Sequence, residues 1–240
     1  MNHNIEAIGT VYSPYRDKFA VPRQPGLVPS AKGYIELKAP YDEAEVVRGL
    51  EEFSHIWVLF LFHQNMDKGW TPTVRPPRLG GNRRVGVFAS RSTFRPNGIG
   101  MSVLKLSHVE QQSGAIRLWV EGLDLVDGTP VVDIKPYLPY VDQQPDALGG
   151  FAPDAPQTQM QVEFNDEAKQ ACKQHSRKHP ELKMLITELL EQDPRPAYRK
   201  KDESLQSYGM SLYHLNIRWE VEGDKTRVIE IVPSGELISQ

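Results

Sequence analysis

Four short clusters in this chain hold side chains able to do polar chemistry: Pro22-Arg23-Gln24, His63-Gln64, Arg91-Ser92 with Arg95 and Asn97, and Asp127-Gly128-Thr129-Pro130. Arginine presents a planar fork of donors that suits carboxylates and phosphates. Histidine can take up a proton near neutral pH. Glutamine offers a donor and an acceptor and so can read the edge of a base. Asp127-Gly128 is a turn by composition, and its carboxylate and carbonyls can face a positive group. Each cluster also has a plain structural reading, since His63-Gln64 can simply end a strand and Arg23 can be a solvated loop residue.

The third cluster lies inside "RRVGVFASRSTFRPNGIGMSV", residues 83 to 103. From Lys68 to Val109 there are eight basic residues (Lys68, Arg75, Arg78, Arg83, Arg84, Arg91, Arg95 and Lys105) and no Asp or Glu, although the chain's formal net charge is −3. Acids gather instead at residues 42 to 52 and beyond 142. Six of the eight are arginines, so an anionic partner is the expectation. RNA is the natural large candidate.

Several familiar chemistries are excluded. The chain has no Walker P-loop, and the Gly-x-Gly of "NGIG" precedes a strand instead of opening a helix. "FASRSTF" lacks the glycines of a nucleophile elbow. The single cysteine, Cys172, excludes a thiolate metal site and an internal disulfide, so no metal is indicated and a cytoplasmic location is expected. No apolar run reaches the roughly 18 residues of a membrane span, and the first residues lack the pattern of a secretory signal.

These clusters must be held by the elements around them. "IEAIGTVY" (5–12) and "YIELKAP" (34–40) read as strands, and "HIWVLFLF" (55–62) as a buried strand. Further strands are predicted at about 85–89, 99–109, 115–121 and after the Asp127-Gly128 turn. "YDEAEVVRGLEEFSH" (41–55) reads as a helix with Asp42 and Glu45 at capping-box spacing. Many strands without regular β-α alternation predict a mainly β fold, an antiparallel barrel or sandwich. Beyond a Pro-, Gly- and Asp-rich stretch, a helix interrupted at Pro180 and two strands around Glu-Gly-Asp predict a small α+β domain. The expected division is 5–145, a linker at 146–160, and 161–240.

The segments "SPYRDKFAVPRQPG", "FSHIWVLFLFHQN", "RPPRLGGNRRVGVFASRSTFRPNGIGMS", "LDLVDGTPVVDIKPYLPY" and "DPRPAYRK" together resemble the TrmO, or TsaA-like, family. These are S-adenosylmethionine-dependent enzymes that methylate N6 of threonylcarbamoyladenosine beside the tRNA anticodon. The resemblance runs in order across nearly the whole chain. It implies a compact antiparallel β-barrel methyltransferase without a Rossmann fold, a smaller C-terminal domain and a homodimer. It places cofactor contacts on Pro22, Arg23, Gln24, His63, Gln64, Arg91, Asp127, Gly128, Thr129 and Pro130. Members often carry Pro-Asn-Pro-Ile-Gly where this chain has Pro96-Asn97-Gly98-Ile99-Gly100, which puts the rigidity of that loop in question.

Given such a reaction, the accepting nitrogen must lose a proton, and His63, Asp127 or Asp133 are the candidate bases. Arg83, Arg84, Arg95 and Asn97, with Arg78, are expected to meet RNA phosphates or the threonyl carboxylate. Arg195, Tyr198, Arg199 and Lys200 read as a second RNA patch, with Tyr198 stacking on a base. Two other readings of the same residues are a non-catalytic RNA-binding barrel and a hydrolase of small phosphorylated metabolites.

Overall fold

A computed structural model of the chain describes residues 4–112, 114–157, 160–196, 199–200, 202 and 204–235. Six strands close an antiparallel barrel: β1 (Gly9–Tyr12), β2 (Lys32–Leu37), β3 (His55–Leu61), β6 (Ile99–Gln112), β7 (Ala115–Glu121) and β8 (Pro130–Pro136), in the order β1-β2-β7-β6-β3-β8. Between β3 and β6 a two-stranded ribbon, β4 (Thr73–Val74) and β5 (Val85–Gly86), stands apart from the barrel. The closed barrel bears out the mainly β expectation.

Strand alternation fills the barrel. On β3, Ile56, Val58 and Phe60 are buried while Trp57, Leu59 and Leu61 are half-buried on the other face. The apolar run predicted as a fully buried strand is therefore two-faced, and its outer side is covered. Trp57 Nε1 donates to Asp142 Oδ2 at 2.9 Å, beside the short helix α1 (Pro139–Asp142). The helix expected at 41–55 does not form. Two short 3-10 turns, Ala44–Val47 and Leu50–Glu52, occupy it, separated by Gly49 at φ 82°, and no side chain caps the first. A left-handed glycine stops the α-helical path there, whatever the capping pattern upstream.

The second unit is a four-stranded sheet of order β10-β11-β12-β9, from β9 (Gln161–Phe164), β10 (Gln206–Leu212), β11 (Leu215–Glu222) and β12 (Lys225–Pro233), with β9 parallel to β12. Helices α2 (Asp166–His175) and α3 (Leu182–Glu191) pack on it across the break at Pro180. The Asn165 side chain accepts from Ala168 N at 2.8 Å and starts α2. Leu182, Leu185, Ile186, Leu189 and Leu190 of α3 are buried, as their spacing predicts.

The segment after β1 is held by the second unit. Tyr15 bridges to Leu212, Tyr213 N donates to Pro14 O at 2.7 Å, and Arg16 Nε donates to Tyr213 O at 2.7 Å. Asp17 Oδ2 accepts from Ser211 N at 3.2 Å, while its Oδ1 accepts from Phe19 N and Ala20 N at 2.9 and 3.1 Å. Phe19 stacks on Trp219 with ring centroids 5.9 Å apart. One wall of the cavity described next is thus pinned to the C-terminal sheet.

Candidate functional site

A cavity of about 690 Å³ opens where four loops meet the ends of β3 and β6. That lies within the roughly 300–1,000 Å³ of small-molecule sites. Its walls are Lys18 and Val21–Gln24, then Phe60–Asn65 with Lys68, then Ser90–Arg91 and Thr93–Arg95, then Ile99–Ser102 with Asp124–Val126 and Thr129. Five cations (Lys18, Arg23, Lys68, Arg91 and Arg95) and a single carboxylate, Asp124, face it.

The loops are tied to one another by side chains. Arg91 Nη1 donates to Gln24 Oε1 at 2.6 Å, joining two of the predicted clusters. Lys18 Nζ donates to Gln64 O at 2.9 Å and to Asn65 Oδ1, and the buried Asn65 in turn donates to Thr93 Oγ1. Arg95 Nη1 reaches back to Ser90 O at 3.1 Å. Burial pushes the His63 imidazole below its usual 6.5, opposed by a hydrogen bond to the Leu61 backbone and aided by nearby Lys18, so its neutral form is favoured. Arg23 stands at the rim with an exposed side chain; desolvation lowers it, and Asp193 of the C-terminal unit acts against that shift.

Asp124 is the acidic feature of the wall. Its Oδ1 accepts from Ser102 Oγ at 2.7 Å, and burial lifts its pKa from 3.8 to about 6 against the Ser102 hydrogen bond and the Arg91 charge. In sequence it is unremarked, three residues before the turn aspartate within "LDLVDGTP". Lys18, Asn65, Thr93 and Ser102 were likewise missed, because nothing in their local pattern separates them from loop and strand residues that face elsewhere.

The structure divides the expected site residues. Pro22, Arg23, Gln24, His63, Gln64, Arg91 and Thr129 line the cavity; Asp127, Gly128 and Pro130 do not. Asp127 is engaged elsewhere, with Oδ1 accepting from Ser13 N at 2.9 Å and Oδ2 paired with Arg16 at 2.5 Å. It pins the turn to the segment after β1, away from the cavity. Asp133 is paired with Lys135 at 2.7 Å, also outside the cavity.

Of the expected substrate contacts, Arg95 lines the cavity, Arg83, Arg84 and Asn97 are exposed nearby in sequence, and Arg84 Nη1 donates to Thr73 Oγ1 at 2.9 Å. Arg195 departs from the expectation of a surface RNA contact. It is 3 % exposed, with Nε and Nη2 on the two oxygens of Asp193 at 2.8 and 3.1 Å. Lys200 Nζ sits 3.1 Å from Asp193 Oδ2 and donates to its carbonyl. Asp193, itself left-handed at φ 48°, therefore organises this loop, and Arg195 is the strut inside it. Arg199 is exposed, 3.9 Å from Asp202; Tyr198 lies outside the described residues.

Residues 10–143 match the family model of the tRNA-methyltransferase O N-terminal domain, and residues 157–234 match the TrmO C-terminal domain. The chain belongs to the TrmO family. It is 54 % identical over 228 residues to the tRNA (adenine(37)-N6)-methyltransferase of Escherichia coli K12, covering 95 % of this chain and 97 % of that protein. It is 47 % identical over 233 residues to a Pseudomonas aeruginosa protein named a putative S-adenosylmethionine-dependent methyltransferase, covering 96 % and 98 %. A crystal structure of TrmO from Pseudomonas aeruginosa superposes with a TM-score of 0.79 at 40 % identity over 97 % of this chain and all of that one.

Residue 98, where the resemblance led to an expected proline, has its own backbone geometry. Asn97 and Gly98 are both left-handed, at φ 65° and 59°. Asparagine and glycine tolerate that region; proline, fixed near −65°, does not. The loop of this chain therefore follows a turn that a proline at residue 98 could not adopt. Gly98 O still accepts from Phe62 N at 2.8 Å, so the turn is fastened to the end of β3.

Proposed function

We propose that this TrmO-family chain transfers a methyl group from S-adenosylmethionine to N6 of the adenine at tRNA position 37, with threonylcarbamoyladenosine as the modified base. The observation that carries the reading is the cationic cavity at the mouth of a non-Rossmann barrel, with two relatives of near full length, one named a tRNA (adenine(37)-N6)-methyltransferase and the other a putative S-adenosylmethionine-dependent methyltransferase. The donor set suits the cofactor. Arg91 and Arg23 offer forks to its carboxylate, and Gln24 and Gln64 suit an adenine edge. Bound there, the cofactor supplies an activated methyl on a sulfonium.

The chain's own residues supply position. Arg91 and Gln24 hold two loops in one geometry, and the Lys18–Asn65–Thr93 chain fixes a third, so the two reactants meet in line. Arg83, Arg84, Arg95 and Asn97 take the anticodon loop and the threonyl carboxylate, and Arg199 and Lys200 extend the footprint. In this reading residues 5–145 are the catalytic domain and 161–240 the tRNA-contacting domain, working as a cytoplasmic homodimer.

Purified protein incubated with S-adenosylmethionine and tRNA carrying threonylcarbamoyladenosine tests the reading. Nucleoside mass spectrometry should find one added methyl on that base. Absence of the methylated nucleoside, together with no calorimetric binding of the cofactor, overturns it.

A further inference from the structure

We infer that Asp124 is the proton acceptor of the methyl transfer, held in place by Ser102. The inference rests on the methyltransferase reading and names the group that the reading leaves open. The N6 nitrogen of a carbamoylated adenine lies between a purine ring and a urea carbonyl, so its lone pair is delocalised and its N–H proton must be removed as it attacks. Of the described residues facing the cavity, Asp124 is the one carboxylate among five cations. Two other acids near the barrel are engaged outside the cavity, Asp127 by Arg16 and Ser13, and Asp133 by Lys135.

The setting of Asp124 suits a group that changes protonation. It follows the fully buried Leu123 and precedes the buried Leu125. Ser102, on the first part of β6, holds one carboxyl oxygen at 2.7 Å. Arg91 from the adjoining loop favours the ionised form, and the phenol of the buried Tyr15 lies close enough to feel its charge. Desolvation outweighs the Ser102 and backbone hydrogen bonds and the Arg91 charge and lifts the group to about 6, so at neutral pH it is ionised and still a better base than an exposed carboxylate. An anchor for a permanent cation gains from full ionisation; a carboxyl lifted towards neutrality fits one that takes a proton in each turnover.

The step balances. As the nitrogen lone pair forms the new N–C bond, the C–S bond breaks and its electron pair returns to sulfur, giving the neutral thioether. The N6 proton passes to Asp124, so the sulfonium's positive charge and the carboxylate's negative charge disappear together. Asp124 then releases its proton to water.

The test uses the full chain, with Asp124→Asn and Ser102→Ala as variants. In wild type, single-turnover methylation should rise with pH and level off above about 6, as a single ionisation. Asp124→Asn should lower the rate constant about 10²-fold or more, the usual contribution of a general base, while calorimetric affinities for S-adenosylmethionine and for tRNA change less than threefold. Ser102→Ala removes a hydrogen bond that favours the carboxylate, so its acid limb should move to higher pH.

A readout free of catalysis goes with these. The folded carboxyl holds its proton between pH 4 and 6, where the unfolded one has lost it, so ionisation penalises the fold as pH rises through about 6. Asp124→Asn should therefore melt higher than wild type at pH 8 and equal to it at pH 4. A variant rate within tenfold of wild type, or a more than tenfold loss of cofactor affinity with the bound rate intact, overturns the inference and makes Asp124 a cofactor contact. A wild type that methylates nothing removes the methyltransferase reading itself, a different failure.

Discussion

His63 and Asp124 face the same cavity and divide what one titratable group was expected to do. The imidazole is pushed below 6.5 by burial, which favours its neutral form. It can donate or accept one hydrogen bond to a bound molecule. His63→Ala should therefore raise the KM for S-adenosylmethionine several-fold and leave the pH dependence of the bound-state rate unmoved. Steady-state kinetics across pH 5 to 8 check this; an acid limb lost with His63 would return the proton acceptor to the histidine. The residue scale is also where the sequence is least legible. Arg23, Gln24, Gln64 and Arg91 stand out by type, and the cavity contains them. Asp127 stands out equally, yet its carboxylate is consumed by Ser13 and Arg16, contacts made by residues more than a hundred positions away. Asp124, the better placed of the two, is marked by nothing in its neighbours.

Elements carry the geometry more openly. Period-two alternation and turn residues mark the strands well, and the break at Pro180 separates α2 from α3 as expected. Periodicity misleads at 41–55, where the apolar spacing suits a helix and a single left-handed glycine forbids one. β6 shows how closely strand and site are joined. Gly100, paired with Phe60 across the β3–β6 ladder, presents no side chain to the Phe60 and Phe62 rings, which meet edge to face with centroids 5.2 Å apart. A Cβ at residue 100 would overlap both rings. Gly100→Ala should cost about 1–3 kcal/mol, the usual range for overpacking, and should weaken cofactor binding because Phe60, Phe62 and Gly100 all line the cavity. Thermal unfolding with calorimetry on the same samples checks both effects.

At the scale of the molecule, the two units share one wall of the site. Residues 13 to 20 lie between the barrel and the C-terminal sheet, held by Leu212, Ser211 and Tyr213 on one side and continuing into Val21–Gln24 of the cavity on the other. Phe19→Ala removes the ring stacked on Trp219 without touching the cavity, since Phe19 does not line it. It should weaken cofactor binding several-fold together with a lower Tm; calorimetry showing unchanged affinity would separate the wall from the sheet. The acidic balance of the chain hides this organisation, because the net charge of −3 averages a basic face and acidic flanks.

Arg23 at the rim and Asp193 in the C-terminal loop lie within electrostatic reach of each other, and Asp193 also holds Arg195 and Lys200. In the proposed reading, a cofactor carboxylate on Arg23 would compete with Asp193 for the same charge, and tRNA would meet the loop that Asp193 organises. The two ligands would then be thermodynamically linked through one arginine. Whatever factor the filled cavity imposes on tRNA affinity, tRNA must return to the cofactor in equal measure. The enzyme's order of binding is then set by concentrations and rates, with neither ligand privileged by the fold.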